Sequence, residues 1–453
     1  MSASDLDLLI RGVRLASGEQ VEIGVQDGLI AAIGASVAPA AAHELDGQGL
    51  LALPGGVDPH VHFNEPGPRS DWEGWATGSA AAAAGGITSV VEMPLNASPP
   101  TVDVAAFDAK VTAAQRASHV DFGLWGGVVP GNLDQLTPLA ERGVVGFKAF
   151  MSASGVEDFP ACDAVTLYDA MRVIAPLGLP FAVHAESDEL TAALAARARA
   201  EGRTSMRDYL ATRPPVAEAE AIARAIEQAH ATGCALHIVH ISTGRGVALV
   251  AEAQAAGVDV SCEVTAHHLL LDEDDAERLG ALAKCAPPLR PRPETAAMWE
   301  ALSDRRIAFV VSDHSPAPPE LKREDDLLAS WGGISGVQST LELLLSDGRL
   351  PLGLAGEVLA GAAAARLELD GKGTLAVGMD ADITLVELGP ERSLSAKELR
   401  YRHSMSPYVG RTLSARVRHT LLRGAPVLRD GNLVGEPRGR LLSGPASPQK
   451  PSR

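Results

Sequence analysis

The chain has 453 residues, 46% of them hydrophobic, and a formal charge of -18 at pH 7. This length and apolar content suffice for one large domain plus a smaller one, and an acidic balance without a basic stripe argues against nucleic acid and anionic membranes as partners. No apolar run of about 18 residues and no basic-then-apolar leader occur, so neither a membrane span nor an export signal is expected, and a cytoplasmic location is.

In chain order, the first 55 residues read as short strands at 5–10, 21–26 and 29–33, the last two joined by Asp27-Gly28, a hairpin cue. From residue 56 the pattern changes. Apolar runs at 56–62, 87–93, 120–128, 144–150, 179–184, 235–240, 258–263 and 307–312 alternate with segments of helical spacing, among them 101–118, 163–177, 217–232 and 246–256. The alanine run 80–84 fits a tightly packed helix. Eight strand-helix units imply parallel strands with right-handed crossovers, hence a (β/α)8 barrel of the TIM type. An open doubly wound sheet is disfavoured by the lack of Gly-x-Gly-x-x-Gly. Strand texture returns at 381–388 and 417–422. The expected organisation is a small β-sandwich from 1–54 plus 366–442, a catalytic barrel over 55–365, and a Pro/Ser-rich flexible tail at 443–453. Cys162, Cys234, Cys262 and Cys285 are far apart with no Cys-x-x-Cys, which fits reduced, buried thiols.

In such a barrel, function sits at the C-terminal strand ends. Those ends carry His60 and His62 on the first strand, Lys148 on the fourth, His184 on the fifth, His240 on the sixth and Asp313 on the eighth. Thirteen histidines give roughly 0.4 His-x-His pairs by chance, so the first pair means little alone. Six polar groups at one mouth are harder to explain by packing, because buried imidazoles and carboxylates without partners are costly. Four His and one Asp suit a divalent ion, Zn²⁺ first, with Mn²⁺, Co²⁺ or Fe²⁺ as alternatives. Lys148 has two readings. As an ammonium it orients an anionic substrate; as a neutral amine carboxylated by CO₂ it bridges two metals. Two metals supply an activated water and a polarised carbonyl, and Asp313 can act as the catalytic base and acid, which points to hydrolysis of a C–N bond.

The motifs Asn64-Glu65-Pro66-Gly67, Asp71-Trp72-Glu73-Gly74, Glu92-Met93-Pro94-Leu95-Asn96, Gly146-Phe147-Lys148, Val183-His184-Ala185-Glu186, Val239-His240-Ile241-Ser242, Val311-Ser312-Asp313-His314, Trp331-Gly332-Gly333-Ile334 and Ser406-Pro407-Tyr408 span nearly the whole chain. Through them it resembles the cyclic amidohydrolases of the amidohydrolase superfamily. The resemblance implies that His60, His62 and Asp313 hold the more buried of two metals and His184 and His240 the more exposed one. It also implies that Lys148 is the N6-carboxylysine bridge.

The activity implied is hydrolytic opening of a cyclic ureide, the hydantoin ring of allantoin, to give allantoate. Hydantoinase, dihydropyrimidinase and dihydroorotase activities are the neighbouring alternatives. Dihydroorotase-like chains usually carry Arg where Asn64 stands, to grip a carboxylate that allantoin lacks. Asn64, Asn96 and the backbone around Cys285 are therefore the expected substrate contacts. The Thr265-Ala266-His267-His268 segment departs from a Pro-His-aromatic pattern, and neither His is assigned a metal. His314 is read as either orienting Asp313 or structural, and His230 and His237 as packing or surface residues. Relatives are commonly homotetramers, so a homo-oligomer is expected.

Overall fold

The computed structural model describes residues 6–37 and 41–448, so Asp5 of the first expected strand and residues 449–453 of the expected tail lie outside the described residues. Strands β1 (Leu6–Leu15), β2 (Gln20–Gln26), β3 (Leu29–Gly34), β4 (Ala41–Asp46) and β5 (Leu50–Pro54) come first. The next eight are β6 (Gly56–Val61), β7 (Ile87–Glu92), β8 (Asp121–Gly127), β9 (Gly146–Phe150), β10 (Phe181–His184), β11 (Leu236–Ile238), β12 (Val260–Thr265) and β13 (Phe309–Val311). Last come β14 (Ile383–Ser393), β15 (Thr412–Leu422), β16 (Ala425–Arg429) and β17 (Asn432–Leu433).

β6 to β13 form one parallel sheet in sequence order, and a bridge between Val61 and His314 brings its two edges together. The His62 N–H donates to the His314 carbonyl at 2.8 Å, so the (β/α)8 barrel closes at the strand carrying the His-x-His pair. β6, β7, β8 and β9 are buried at every position, as parallel strands covered on both faces should be. Helix Trp75–Ala84 buries Ala80, Ala81, Ala82 and Ala83 and packs against β7, as the alanine run implied. A Cβ on Gly78 would stand 2.3 Å from the Phe63 ring, so this contact beside His62 requires glycine.

The remaining strands join in a nine-stranded sheet, order β17-β16-β15-β14-β5-β1-β2-β3 with β4 paired to β1. Both ends of the chain thus build one sheet around its own apolar cluster, including Ile10, Val13, Ile23, Ile383, Leu385 and Leu421. β4 escapes the sequence pattern because most of its side chains are exposed or half-buried. Leu442 N–H donates to Phe122 O at 2.7 Å and, within the segment expected as a loose tail, Gly444 N–H donates to Gly143 O at 3.1 Å.

One buried cation joins the two sheets. Lys372, 4% exposed, reaches Asp121 on β8 at 2.6 Å, Asp382 just before β14 at 2.7 Å and Asp380 at 3.0 Å, and Arg423 adds a second contact to Asp121. Removing the cation leaves buried carboxylates opposed. Lys372→Met is expected to destabilise the chain by about 3–5 kcal/mol in denaturant unfolding, and an unchanged midpoint would contradict this role.

Candidate active site

The first strand enters the mouth under restraint. Asp58 accepts from the N–H groups of His60 and Ser312, tying the end of β6 to the end of β13, and burial pushes its carboxyl up to about 6. His60 Nε2 and His62 Nε2 both lie 3.3 Å from Asp313 Oδ1. These three residues offer ligand atoms within 4.8 Å of one another, all buried.

The tautomer of His60 is set from behind. Its Nδ1 lies 2.5 Å from Glu263 Oε1, and the other oxygen of Glu263 meets His237 Nε2 at 3.1 Å. A carboxylate on Nδ1 holds the proton there and turns the Nε2 lone pair toward the mouth. Burial would raise the Glu263 carboxyl, but the charge of His60 and hydrogen bonds from His237 and His60 hold it at about 2.

A second pair repeats the device. His184 Nδ1 and His240 Nε2 face each other at 3.0 Å, while His184 Nε2 is held at 2.8 Å by Glu186, which also takes Arg213. The turn after His240 is fixed by Glu218, which accepts from Ser242 N–H at 2.7 Å and from Thr243 Oγ1 at 2.5 Å. His60 and His240 rings lie 5.3 Å apart, so the four imidazoles are contiguous.

Lys148 is fully buried and its Nζ has no hydrogen-bond partner among the described residues. Burial pulls the amine down to about 7 against the opposing charges of Glu263 and Asp313. Its charge acts on all four imidazoles, so it stands inside the same cluster. Asn64, His240 and Asp313 adopt left-handed backbone with φ of 66°, 36° and 43°, a concentration of strained non-glycine residues at the strand ends.

The other expected contacts are distributed unevenly. Asn64 is completely buried, and neither its Oδ1 nor its Nδ2 has a partner among the described residues. Its N–H and that of Phe63 donate to Glu92 at 3.2 and 3.0 Å. Asn96 sits in the loop after β7, where its carbonyl accepts from Arg69 at 2.6 Å and its buried Oδ1 has no partner among the described residues. The Cys285 carbonyl already accepts from Tyr209 OH at 2.8 Å. His314 faces away from the imidazole cluster: its Nδ1 accepts from Gly336 N–H at 3.2 Å and its Nε2 lies 3.4 Å from Glu73. His237 proves to be a buried partner of Glu263 rather than a surface residue.

Sequence reasoning missed Asp58, Glu186, Glu263 and Arg213. Glu186 had a signal, an acid two residues beyond His184. Glu263 had a fainter one, an acid ending an apolar strand that contributes no other group to the mouth.

Residues 51–427 match the amidohydrolase family. An allantoinase of Rubrobacter xylanophilus is 53% identical over 445 residues, covering 97% of this chain and 98% of that protein. An allantoinase of Deinococcus radiodurans is 48% identical, covering 96% and 98%. Among solved structures, the L-hydantoinase (dihydropyrimidinase) from Arthrobacter aurescens superposes with a TM-score of 0.93 at 34% identity, covering 97% of this chain and all of that one.

Since Glu263 fixes the His60 tautomer, Glu263→Gln is expected to weaken retention of a divalent ion by roughly 10–100-fold while leaving the fold intact. Elemental analysis after dialysis against a graded chelator would show it, and wild-type retention would refute it.

Proposed function

The chain belongs to the amidohydrolase family, and from that premise we propose that it hydrolyses the cyclic amide bond of allantoin to give allantoate. The carrying observation is the convergence of His60, His62 and Asp313 beside the His184–His240 pair, with an unpartnered Lys148 among them. Nearly full-length identity to allantoinases supports the choice of ring.

The donor set fits a divalent metal. Lone pairs converge at the mouth, while the outward nitrogens of His60 and His184 are held by Glu263 and Glu186. In this reading His60, His62 and Asp313 hold one ion, His184 and His240 a second, and zinc is the ion assigned. Two such ions, when bound, supply Lewis-acid polarisation of the scissile carbonyl and a more acidic water. Lys148 would help hold them as N6-carboxylysine: the neutral Nζ lone pair forms a bond to the carbon of CO₂, one C–O π pair moves onto oxygen as the carboxylate charge, and one N–H proton is released. Burial, which lowers this amine to about 7, makes the neutral form accessible.

Asp313 is the proton carrier. Burial would raise its carboxyl, but the charge of His60 and the hydrogen bond to His62 keep it well below the usual range, so it is available as a base. With Oδ1 facing both imidazoles, Oδ2 takes the proton of the attacking water and passes it to the departing ring nitrogen. Asn64 offers a donor and an acceptor to a neutral ureide. Asn96 and the Cys285 backbone complete the proposed contacts. The same reading carries over the division into 1–54 plus 366–442 and 55–365, a homotetramer and a cytoplasmic location. Among the described residues no helix is long and apolar enough to cross a membrane.

Asp313→Asn should retain much of the metal yet lower kcat by about 100-fold or more, and wild-type kcat in that variant would exclude the role. Lys148→Ala should lose activity and recover part of it with added short carboxylic acids; full activity without them would remove the carbamate. Turnover of allantoin should exceed that of hydantoin, dihydrouracil and dihydroorotate on metal-loaded protein, and Asn64→Arg should reduce it. Preference for another ring would transfer the assignment to that activity.

A further inference from the structure

The buried face of helix Val104–Ala117 carries Ala106, Phe107, Lys110 and Ala114, so a lysine stands within an otherwise apolar stripe. It is completely buried, where a lone ammonium is costly, and no step assigned above uses it. Its Nζ donates to the Met93 carbonyl at 2.9 Å and lies 3.6 Å from Oε1 of Glu92, the completely buried acid that ends β7. These two partners are adjacent in sequence but lead to different loops.

Glu92 leads to Asn64, since its carboxylate accepts from the N–H groups of Phe63 and Asn64 at 3.0 and 3.2 Å. Met93 leads to Asn96: its N–H donates to the Val61 carbonyl at 2.9 Å, and the loop beyond is tied where Thr101 N–H meets the Pro94 carbonyl at 2.9 Å and Arg69 Nε meets the Asn96 carbonyl at 2.6 Å. Asn64 and Asn96 share a left-handed backbone with φ of 66°, which non-glycine residues seldom adopt. Both have a buried amide oxygen without a partner among the described residues. Two strained residues with free amide oxygens are therefore joined through one buried ammonium.

We propose that Lys110, acting through Glu92 and the Met93 carbonyl, is a positioning residue that aims Asn64 and Asn96 at the ureido group of the substrate, a role that rests on the allantoin reading above. The ammonium supplies a charge that keeps the Glu92 carboxylate turned to receive both N–H groups, and a donor that fixes Met93, from which the Asn96 loop departs. A neutral side chain of similar length fills the same space and supplies neither. Loss of selectivity rather than of chemistry is expected, because neither contact of Lys110 is to one of the six mouth residues.

Lys110→Met tests the role on metal-loaded protein, with allantoin as substrate and hydantoin, which lacks the ureido group, as competitor. KM for allantoin should rise about tenfold while kcat stays within about twofold of wild type, and the metal content and the hydantoin inhibition constant should not change. Glu92→Gln, which keeps an accepting oxygen but loses the charge, should shift KM in the same direction by less, and it makes the same comparison if Lys110→Met does not fold. An unchanged KM for allantoin, a fall in kcat alone, or equal weakening of allantoin and hydantoin would overturn the positioning role. The wild-type protein separates this role from the activity. If it fails to open allantoin, both fall; if it opens allantoin and the variants weaken both rings alike, only the positioning role falls.

Discussion

The pairing of buried charge with buried charge at the barrel mouth is the interaction on which the rest depends. Glu263, Glu186, Asp313, Lys148 and four imidazoles are all withdrawn from water, where an unpaired ion costs several kcal/mol. Glu263 lies between His60 and His237, and Glu186 between His184 and Arg213. Each carboxylate steadies an imidazole from behind and turns its other nitrogen inward. Lys148 Nζ has no such partner among the described residues.

This arrangement explains why the barrel must close tightly where it does. Asp58 ties β6 to the end of β13, and the His314 carbonyl receives the His62 N–H. His62 and Asp313 therefore reach one point from opposite edges of the sheet. Glu92, holding the N–H groups of Phe63 and Asn64, extends the restraint to the proposed substrate contact. In the proposed reading, binding, proton transfer and closure of the fold share the same few hydrogen bonds.

Much of this was legible in the sequence because parallel strands are apolar along their length, so a His, Lys or Asp at a strand end stands out. Eight such runs give the barrel, and six end residues give the mouth. Glu263 and Glu186 were not legible as orienting groups, since which ring nitrogen a carboxylate meets depends on strand register and twist. His237 looked like packing for the same reason: only the parallel pairing of β11 with β12 brings it to Glu263. β4 was obscured by its exposed side chains, and the docking of residues 443–448 rests on backbone groups that carry no sequence pattern.

The central claim is that the six mouth residues form one two-metal site with a carboxylated lysine. A crystal structure of the metal-loaded protein at high resolution tests it most directly. It should show one ion among His60, His62 and Asp313, another at His184 and His240, and added density on Lys148 Nζ reaching both. An unmodified Lys148, or metal bound elsewhere in fully active protein, would contradict the account.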